Sequence, residues 1–379
     1  MAGSRLAIIG GGIAGLGCAH FLHREFDITL FERGSYPGGH VNTLDVAEGD
    51  RTVSVDSGFM VYNRTTYPQF CRLLDGLSVK VKPTDMSFSV SHVPRGLEWS
   101  GTGFARFFAR RSNFFSADFW RLLFAINRFN KEARVLVNSS PGDYESMSTE
   151  EFVKGRGLGT EVLDHYLLPM MSSLWSAPAD TMLKFPIVLL VRFMHTHGLL
   201  SVYDKLDWFT IDGGARNYVS ELVRPFLDRI KLSCGVKRLE KVDSGLKVCL
   251  DGGESQVFDK CIFACHADQA AAILSPSHFP EERDILSGFS YQKNVATLHC
   301  DSSVMPRCRG NWASWNYKIV PHAKSGQLVS TTHYWMNSLQ GVSENKDYFI
   351  TIDSADSIHP ESILQQVDYL HPVFDLDSF

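Results

Sequence analysis

The stretch RLAIIGGGIAGLGCAHFLHREFDITLFE, residues 5–32, decides the fold of this 379-residue chain. A short apolar run at 5–9 leads directly into glycines, and residues 13–23 then repeat apolar side chains at helical spacing. A second short run with β-branched residues follows at 27–32. A strand, a glycine turn, a helix and a second strand within about 30 residues form the opening βαβ unit of a doubly wound sheet. We therefore predict the α/β fold class.

Gly10, Gly12 and Gly15 form a G-x-G-x-x-G turn between the predicted strand and the predicted helix. The first glycine permits the tight turn, the second lets the backbone approach a pyrophosphate, and the third lets the helix pack on the strand. The helix N-terminus then offers free N–H groups to the phosphates. Glu32 ends the second strand, where its carboxylate can accept hydrogen bonds from ribose hydroxyls. This register predicts a dinucleotide site.

Composition excludes several other classes of protein. A net charge of −5 without long runs of like charge does not favour binding to nucleic acid. The eight cysteines show no paired spacing, and no secretory signal or apolar span of about 20 residues is visible. We expect a soluble protein in the reducing cytoplasm.

The character of the chain changes between its predicted Rossmann-like segments. Residues 103–137 repeat aromatic side chains at helical spacing, which predicts a helical insertion. Strand patterns return later in the chain. We predict a discontinuous nucleotide domain formed by residues 1–81 and 205–275, and a mixed α+β substrate domain formed by residues 82–204 and 276–379.

A second glycine pair follows in ERGSYPGGHVNT, residues 32–43, just past the second strand. Here the sequence resembles the FAD-binding flavin amine oxidase and phytoene desaturase superfamily, whose members carry E-x-x-x-x-x-G-G-R/H at this point. It is most similar to a branch of predicted NAD/FAD-binding proteins associated with cyclopropane fatty acid synthases. The segments that carry the resemblance are DSGFMVYNRTTYP (56–68), DMSFSVS (85–91), LEWSGT (97–102), HYLLPMMSSLWSAP (165–178), ACHADQA (264–270), ASWNY (313–317), YWMNSLQG (334–341) and HPVFD (371–375).

The resemblance implies an FAD cofactor and places particular residues along it. The glycine turn, Glu32 and Arg33 would contact the ADP half, and Val236 would contact adenine through its main chain. His40 would lie near the pyrophosphate and flavin, where many relatives have arginine. The implied cofactor-binding residues are Gly10, Gly12, Ile13, Ala14, Gly15, Glu32, Arg33, Gly38, Gly39, His40, Gly58, Phe59, Met60, Val61 and Val236.

The implied activity is hydride transfer between a substrate C–H bond and flavin N5, and no catalytic residue is identified. The excess of phenylalanine, 26 residues, and the association with cyclopropane synthases both favour a lipid acyl chain as substrate. One alternative is an amine oxidase that acts on a small amine or polyamine. Another is a non-catalytic module that binds a partner methyltransferase of the cyclopropane synthase type.

Relatives end with a second glycine-rich segment whose helix N-terminus completes the flavin site. No such segment follows HPVFD in this sequence, so we expect the segment that closes the FAD site to be absent and FAD to bind substoichiometrically.

Three other groups of residues invite a functional interpretation. Trp312, Trp315, Tyr317, Tyr334 and Trp335 either line a substrate cavity or pack in a sheet core, and the sequence leaves both open. His195 and His197 point about 200° apart on a helix, so we predict no metal site there. The arginine-rich aromatic stretch at 104–129 is compatible with a membrane surface, but ordinary helix packing with snorkelling arginines is preferred.

Overall fold

The computed structural model describes residues 3–101, 104–138, 144, 146–175, 179–200, 206–321 and 328–373. The α/β class is confirmed, and the opening βαβ unit forms as the sequence predicts. Its sheet has four parallel strands in the order β10–β2–β1–β14. These strands are β1 (Arg5–Ile9), β2 (Asp27–Phe31), β10 (Ile230–Lys231) and β14 (Lys260–Phe263), and helix α1 (Ile13–Leu22) connects the first two.

Strand β1 is almost wholly apolar because both of its faces are covered. Leu6, Ala7, Ile8 and Ile9 are all at most 4% exposed. Leu6 and Ile8 pack with α1 residues, whereas Ala7 and Ile9 pack with the strands that follow β10. Parallel strands buried on both faces carry such continuous apolar runs.

Three antiparallel strands and four helices complete this side of the molecule. Two of these strands form a hairpin around residues 251–254, where Cys249 pairs with Ser255. The strands are β11 (Val236–Val242), β12 (Gly245–Leu250) and β13 (Ser255–Phe258). The helices are α2 (Pro68–Leu77), α10 (Arg216–Val223), α11 (Ala267–Ile273) and α12 (Pro280–Ser287).

The predicted helical insertion forms a layer built around one large apolar cluster. Phe119, Leu122, Phe129 and Ala133 face that cluster at helical spacing and are almost fully buried. The helices are α3 (Phe104–Phe107), α4 (Ala117–Val137), α5 (Thr149–Gly155), α6 (Thr160–Val162), α7 (Leu168–Trp175), α8 (Ala179–Leu183) and α9 (Ile187–Thr196). No helix within the described ranges is both long enough and apolar enough to cross a membrane.

A seven-stranded mixed sheet is built from both segments that the sequence assigned to the substrate domain. Its order is β19–β15–β18–β17–β16–β7–β8. The strands are β7 (Phe88–His92), β8 (Leu97–Ser100), β15 (Ser290–His299), β16 (Trp315–Pro321), β17 (Leu328–Trp335), β18 (Phe349–Ile352) and β19 (Ile363–Val373). Helix α13 (Met336–Gln340) follows β17.

Two small sheets connect these layers. Strands β3 (Thr43–Glu48) and β4 (Arg51–Asp56) form a hairpin that packs on the seven-stranded sheet. The other sheet has the order β5–β9–β6, with β5 (Tyr62–Asn63), β6 (Val81–Thr84) and β9 (Trp208–Ile211). Strand β6 spans the predicted boundary at residues 81 and 82, and the domain boundaries stay a prediction.

Strand register separates the two faces of the seven-stranded sheet. Residues opposite each other on paired strands share a face. Trp315 lies opposite Tyr334, and Tyr334 lies opposite Ile350, so these three share the face that we call inner. His333 lies opposite Thr351 on the other face, which we call outer.

A chain of hydrogen bonds on the outer face fixes two histidines in their neutral form. His299 Nδ1 accepts the backbone N–H of Asp301 at 3.1 Å, so its proton is on Nε2, 2.7 Å from Thr351 Oγ1. Thr351 Oγ1 is also 2.7 Å from His333 Nδ1, and His333 Nε2 is 2.7 Å from Thr331 Oγ1. Every donor therefore meets an acceptor only while both rings are neutral.

We expect acid to destabilise the protein through these histidines. Burial lowers the pKa of His299 from 6.5 to about 4 and holds that of His333 well below 6.5. The folded state therefore binds fewer protons than the unfolded state, and stability is lost as the pH falls from 6.5 towards 4. The cost is roughly 2 kcal/mol for His299 at about pH 5. Urea unfolding between about pH 7.5 and 5 measures it.

The variant His299→Gln isolates this contribution. Between about pH 5 and 6, it should reduce the slope of unfolding free energy against pH by about 1.4 kcal/mol per pH unit. Exposed His195, changed to glutamine, is the matched control and should leave that slope unchanged. An equal slope in wild type and His299→Gln would contradict the assignment.

Candidate dinucleotide site

A cavity of about 780 Å³ opens at the carboxyl ends of β1 and β2. Its position is the point in the parallel sheet where β1 has β2 on one side and β14 on the other. Ligands of open α/β sheets bind at such a switch point, outside the carboxyl ends of the strands. The volume lies within the range of about 300–1,000 Å³ that is usual for ligand pockets.

The fold requires a glycine at position 10 but not at position 12. Gly10 has φ +110°, and a Cβ there would lie 2.6 Å from the carbonyl oxygen of Ala264. Gly12 has φ −73° and ψ 179°, which any residue can adopt, and a Cβ there would meet no protein atom within 4 Å. Because that open space belongs to the cavity, a bound ligand explains the glycine at position 12.

The two glycine motifs are joined by a backbone hydrogen bond, and both line the cavity. The Gly38 N–H donates to the Gly11 carbonyl at 2.8 Å, and Gly12 and Gly38 form an isolated parallel bridge. A Cβ on Gly39 would lie 3.3 Å from the Gly12 Cα. The second pair is therefore glycine partly because the backbone of the first turn lies against it.

The N-terminus of α1 opens into the cavity. Gly12 is its N-cap residue, and no side chain caps this end. Ile13 and Ala14 line the cavity, and the first N–H groups of a helix have no partner within the helix. Such an end, with its positive dipole, fits a pyrophosphate.

Glu32 lies at the end of β2, where hydrogen bonds to its backbone N–H and carbonyl groups hold it in place. Its carboxylate accepts the N–H of Gly11 and the N–H of Gly34, both at 2.6 Å. A carboxylate offers about four lone-pair positions, so each oxygen keeps one for a ribose hydroxyl. Glu32 also lines the cavity, as the sequence-based prediction requires.

Removing this carboxylate should weaken FAD binding measurably. We expect Glu32→Ala to weaken the free energy of FAD binding by about 1.5–3 kcal/mol, because charge-assisted hydrogen bonds to the ribose are lost. Titration of apoprotein with FAD, followed by flavin fluorescence, measures the change. Glu25→Ala, which removes an exposed carboxylate just before β2, is the control. Equal affinity in Glu32→Ala and Glu25→Ala would place Glu32 outside the binding site.

Three histidines lie close together, and two of them, His40 and His266, line the cavity. The ring centroid of His40 is 6.0 Å from that of His266 and 5.2 Å from that of His371. Burial, followed by these two neighbours, lowers the pKa of His40 to about 4, so its ring is neutral near pH 7. His40 Nε2 and His266 Nδ1 are buried without a hydrogen-bond partner in the described part of the chain. Neutral rings with an unused nitrogen can donate to or accept from a bound cofactor.

Most of the predicted cofactor residues line this one cavity. Those that do are Gly10, Gly12, Ile13, Ala14, Glu32, Arg33, Gly38, Gly39, His40, Phe59 and Val236. Gly15, Gly58, Met60 and Val61 are not among the residues that line it. A Cβ on Gly15 would lie 1.9 Å from the Gly10 carbonyl oxygen, and one on Gly58 would lie 2.2 Å from that of His40. Their predicted contacts with FAD stay predictions.

Several lining residues were missed because they come from distant parts of the chain. Cys234, Cys265 and Ile273 flank Val236 at the end predicted for adenine. At the aromatic end, Phe70 packs against Phe59, with ring centroids 5.3 Å apart, and against Tyr218, at 5.2 Å. The lining residues not singled out from the sequence are Ile9, Gly11, Phe31, Tyr36, Val41, Tyr67, Phe70, Tyr218, Cys234, Ala264, Cys265, His266, Gln269, Ile273, Asp368, Tyr369 and Leu370.

The five aromatic candidates for a substrate cavity do not lie together. Trp315, Tyr317 and Tyr334 are on the inner face of the seven-stranded sheet. Trp335 is on the outer face, where Trp312 packs edge-on against it with ring centroids 5.3 Å apart. None of the five lines the cavity described above. Whether any of them meets a substrate stays a prediction.

The histidine pair at the end of α9 has ordinary packing roles. His197 stacks on Phe193 with ring centroids 3.9 Å apart, and its Nδ1 lies 2.8 Å from the Phe193 carbonyl oxygen. His195 is exposed. Residues 374–379 lie outside the described part of the chain, so the predicted absence of a closing segment is not tested.

Comparisons with known proteins agree with this geometry. The sequence matches the family of flavin-containing amine oxidoreductases over residues 13–313. No curated protein sequence matches significantly.

Solved structures share the fold at low sequence identity. A double mutant of putrescine oxidase is 14% identical with a TM-score of 0.70, covering 100% of this chain and 89% of the other. Cyclohexylamine oxidase from Brevibacterium oxydans IH-35A is 14% identical with a TM-score of 0.66, covering 100% and 90%. A fatty acid isomerase from P. acnes, described as producing CLA, is 14% identical with a TM-score of 0.64, covering 97% and 86%.

Proposed function

Because this chain belongs to the flavin-containing amine oxidoreductases, and is an oxidoreductase whose cofactor is FAD, we propose that it oxidises a C–H bond of a lipid acyl chain. When bound, FAD supplies the acceptor for the hydride at its N5 atom. The proposal concerns the substrate, and it rests on how the charged groups of the cavity are already paired.

The observation that carries the proposal is that both carboxylates of the described cavity lining are engaged within the protein. Glu32 accepts two backbone N–H groups. Asp368 forms an ion pair with Lys293, with 2.7 Å between Oδ2 and Nζ, and both side chains are exposed to solvent. A cationic amine would need a carboxylate of its own, whereas an acyl chain needs only apolar surface. The lining therefore favours a substrate whose reacting part is an uncharged acyl chain.

The surfaces next to the cavity are suited to an acyl chain. Phe59, Phe70 and Tyr218 form the aromatic end; their rings pack edge-on against one another, and all three residues line the cavity. These walls would orient the chain by contact and exclude water from the reacting carbon. Loss of the hydride leaves a carbocation on the acyl chain, and loss of a neighbouring proton then gives a carbon–carbon double bond. A proton beside a carbocation is acidic enough for a weak base or water to accept it, so no strong protein base is needed.

Amine oxidation is the second candidate, and one feature favours it. Aromatic rings that surround a cation attract it through their electron-rich faces, so the same aromatic end could hold an ammonium group. Putrescine oxidase and cyclohexylamine oxidase share the fold. A partner related to cyclopropane synthases stays a prediction.

The two substrates are distinguished by reduction of the bound flavin in the absence of oxygen. We expect oleate to bleach the visible flavin absorbance, or to return as a double-bond isomer, while putrescine and cyclohexylamine leave both unchanged. Bleaching by either amine, with oleate inert, would overturn the acyl-chain proposal in favour of amine oxidation.

A pair of serine variants checks that the aromatic end holds the substrate. Phe70→Ser should raise the oleate concentration for half-maximal bleaching by about tenfold, since one aromatic contact with the acyl chain is lost. Phe21→Ser is the control, because Phe21 is 56% exposed and lies outside the cavity. Equal responses in the two variants would remove this surface from the substrate site.

A further inference from the structure

The helical insertion carries a group of aromatic side chains that are exposed to solvent. Phe114, Phe115 and Phe124 are 51%, 87% and 66% exposed. Single exposed apolar side chains are common on protein surfaces, but contiguous groups of large ones mark sites of contact.

Ring contacts make these side chains one surface. The centroids of Phe114 and Phe115 are 5.5 Å apart, and those of Phe114 and Trp120 are 5.9 Å apart. Trp120 in turn lies 6.4 Å from Phe124. The Trp120 Nε1–H donates to the Phe114 carbonyl oxygen at 2.9 Å, which ties the short 3₁₀ turn at 111–115 to α4. We call these four residues the aromatic patch.

Charge around the patch is opposite in sign to that of the whole protein. The formal net charge of the chain is −5. Between residues 106 and 131, however, there are six basic side chains and a single acidic one. These are Arg106, Arg110, Arg111, Arg121, Arg128 and Lys131, against Asp118. Arg111, Arg121 and Arg128 are exposed. Arg121 also pairs with Asp118, and Arg128 donates to the carbonyl groups of Arg156 and Gly157.

We propose that the aromatic patch and its arginines dock this protein on the surface of an anionic phospholipid bilayer. Phenylalanine and tryptophan insert at the boundary between headgroups and acyl chains, and arginines around them bind lipid phosphates. Exposed aromatic rings alone would be enough to bind a protein partner. The excess of basic side chains around them instead favours an anionic surface. The inference is independent of the substrate proposed above.

Vesicle co-sedimentation of the full chain loaded with FAD tests the proposal. The protein should bind phosphatidylcholine vesicles that contain phosphatidylglycerol and should bind pure phosphatidylcholine vesicles at least about tenfold more weakly. Binding should weaken with added salt, because surface charges are screened. The double variant Phe115→Ser with Phe124→Ser should bind the phosphatidylglycerol-containing vesicles at least about tenfold more weakly than wild type.

A matched double variant removes exposed apolar side chains elsewhere. Phe21→Ser with Ile285→Ser, at positions 56% and 71% exposed, should bind vesicles like wild type. All four substituted side chains are exposed, so the melting temperature should stay within a few degrees of wild type. A second variant, Arg111→Gln with Arg121→Gln, should lose the preference for phosphatidylglycerol.

Two outcomes would overturn the proposal. One is equal vesicle binding by wild type and by Phe115→Ser with Phe124→Ser. The other is that wild type self-associates in sedimentation velocity without binding vesicles, and that the same phenylalanine variant is monomeric. The patch would then be covered by a second copy of this chain.

Discussion

Replacing Gly12 with valine is expected to abolish retention of FAD while leaving the fold intact. The backbone at Gly12 is extended and a Cβ there meets no protein atom, so the folded apoprotein tolerates the side chain. The same side chain would occupy the space in front of the α1 N-terminus, where the pyrophosphate must lie. We expect affinity to fall at least about a hundredfold, or ~2.7 kcal/mol.

Flavin content and thermal unfolding together measure this loss. FAD at 100 times its dissociation constant should stabilise the wild type by about 2.7 kcal/mol, and Gly12→Val should lose that rise while its apoprotein melts like wild type. The control is Gly17→Val, since Gly17 lies on the same helix and an added Cβ also meets nothing within 4 Å. A full complement of flavin in Gly12→Val would refute the site.

Replacing Asp56 with alanine is expected to destabilise the protein by roughly 3–5 kcal/mol, because partners of a buried carboxylate lose their acceptor. Asp56 is fully buried at the end of β4. It accepts the Thr43 hydroxyl at 2.5 Å, the Ala215 N–H at 2.9 Å and the Gln340 amide at 2.5 Å. Burial raises the pKa of Asp56, and these hydrogen bonds oppose that rise.

This carboxylate also positions two walls of the cofactor cavity. Ala215 is the N-cap of α10, which carries Tyr218, and Phe59 follows Asp56 by three residues. The Gln340 side chain, on α13, donates a hydrogen bond to Asp56 and so links both walls to that helix. We therefore expect Asp56→Ala to weaken FAD binding as well as the fold. If Asp56 only filled space, Asp56→Ala would reduce neither the stability of the fold nor the affinity for FAD.

The control for Asp56 lies on the same hairpin. Asp45 pairs with Arg216 at 2.9 Å, but both side chains are more than 40% exposed. Asp45→Ala should therefore cost only about 0–1 kcal/mol, as surface ion pairs usually do. Chemical denaturation of the two variants compares them directly. A similar loss in both would mean that the buried network around Asp56 contributes little.

Local signals determined the nucleotide half of the site because they act over short stretches of chain. The tight turn at Gly10, the open approach at Gly12 and the acid at Glu32 all belong to one βαβ unit of about 30 residues. Turn chemistry and strand periodicity therefore specify it without help from distant residues. The second glycine pair was also recognisable, although its bond to Gly11 appears only in the folded chain.

Tertiary structure decided the remainder, since sequence periodicity shows that side chains alternate but not what each face meets. Tyr334 and Trp335 are adjacent in sequence, yet pairing with Ile350 and Phe349 puts them on opposite faces of one sheet. In the helical insertion, Phe119 is buried and Phe124 is 66% exposed, although both belong to the same aromatic stretch. Tyr218, His266 and Tyr369 join the cavity only through the packing of distant elements, so no local pattern could identify them.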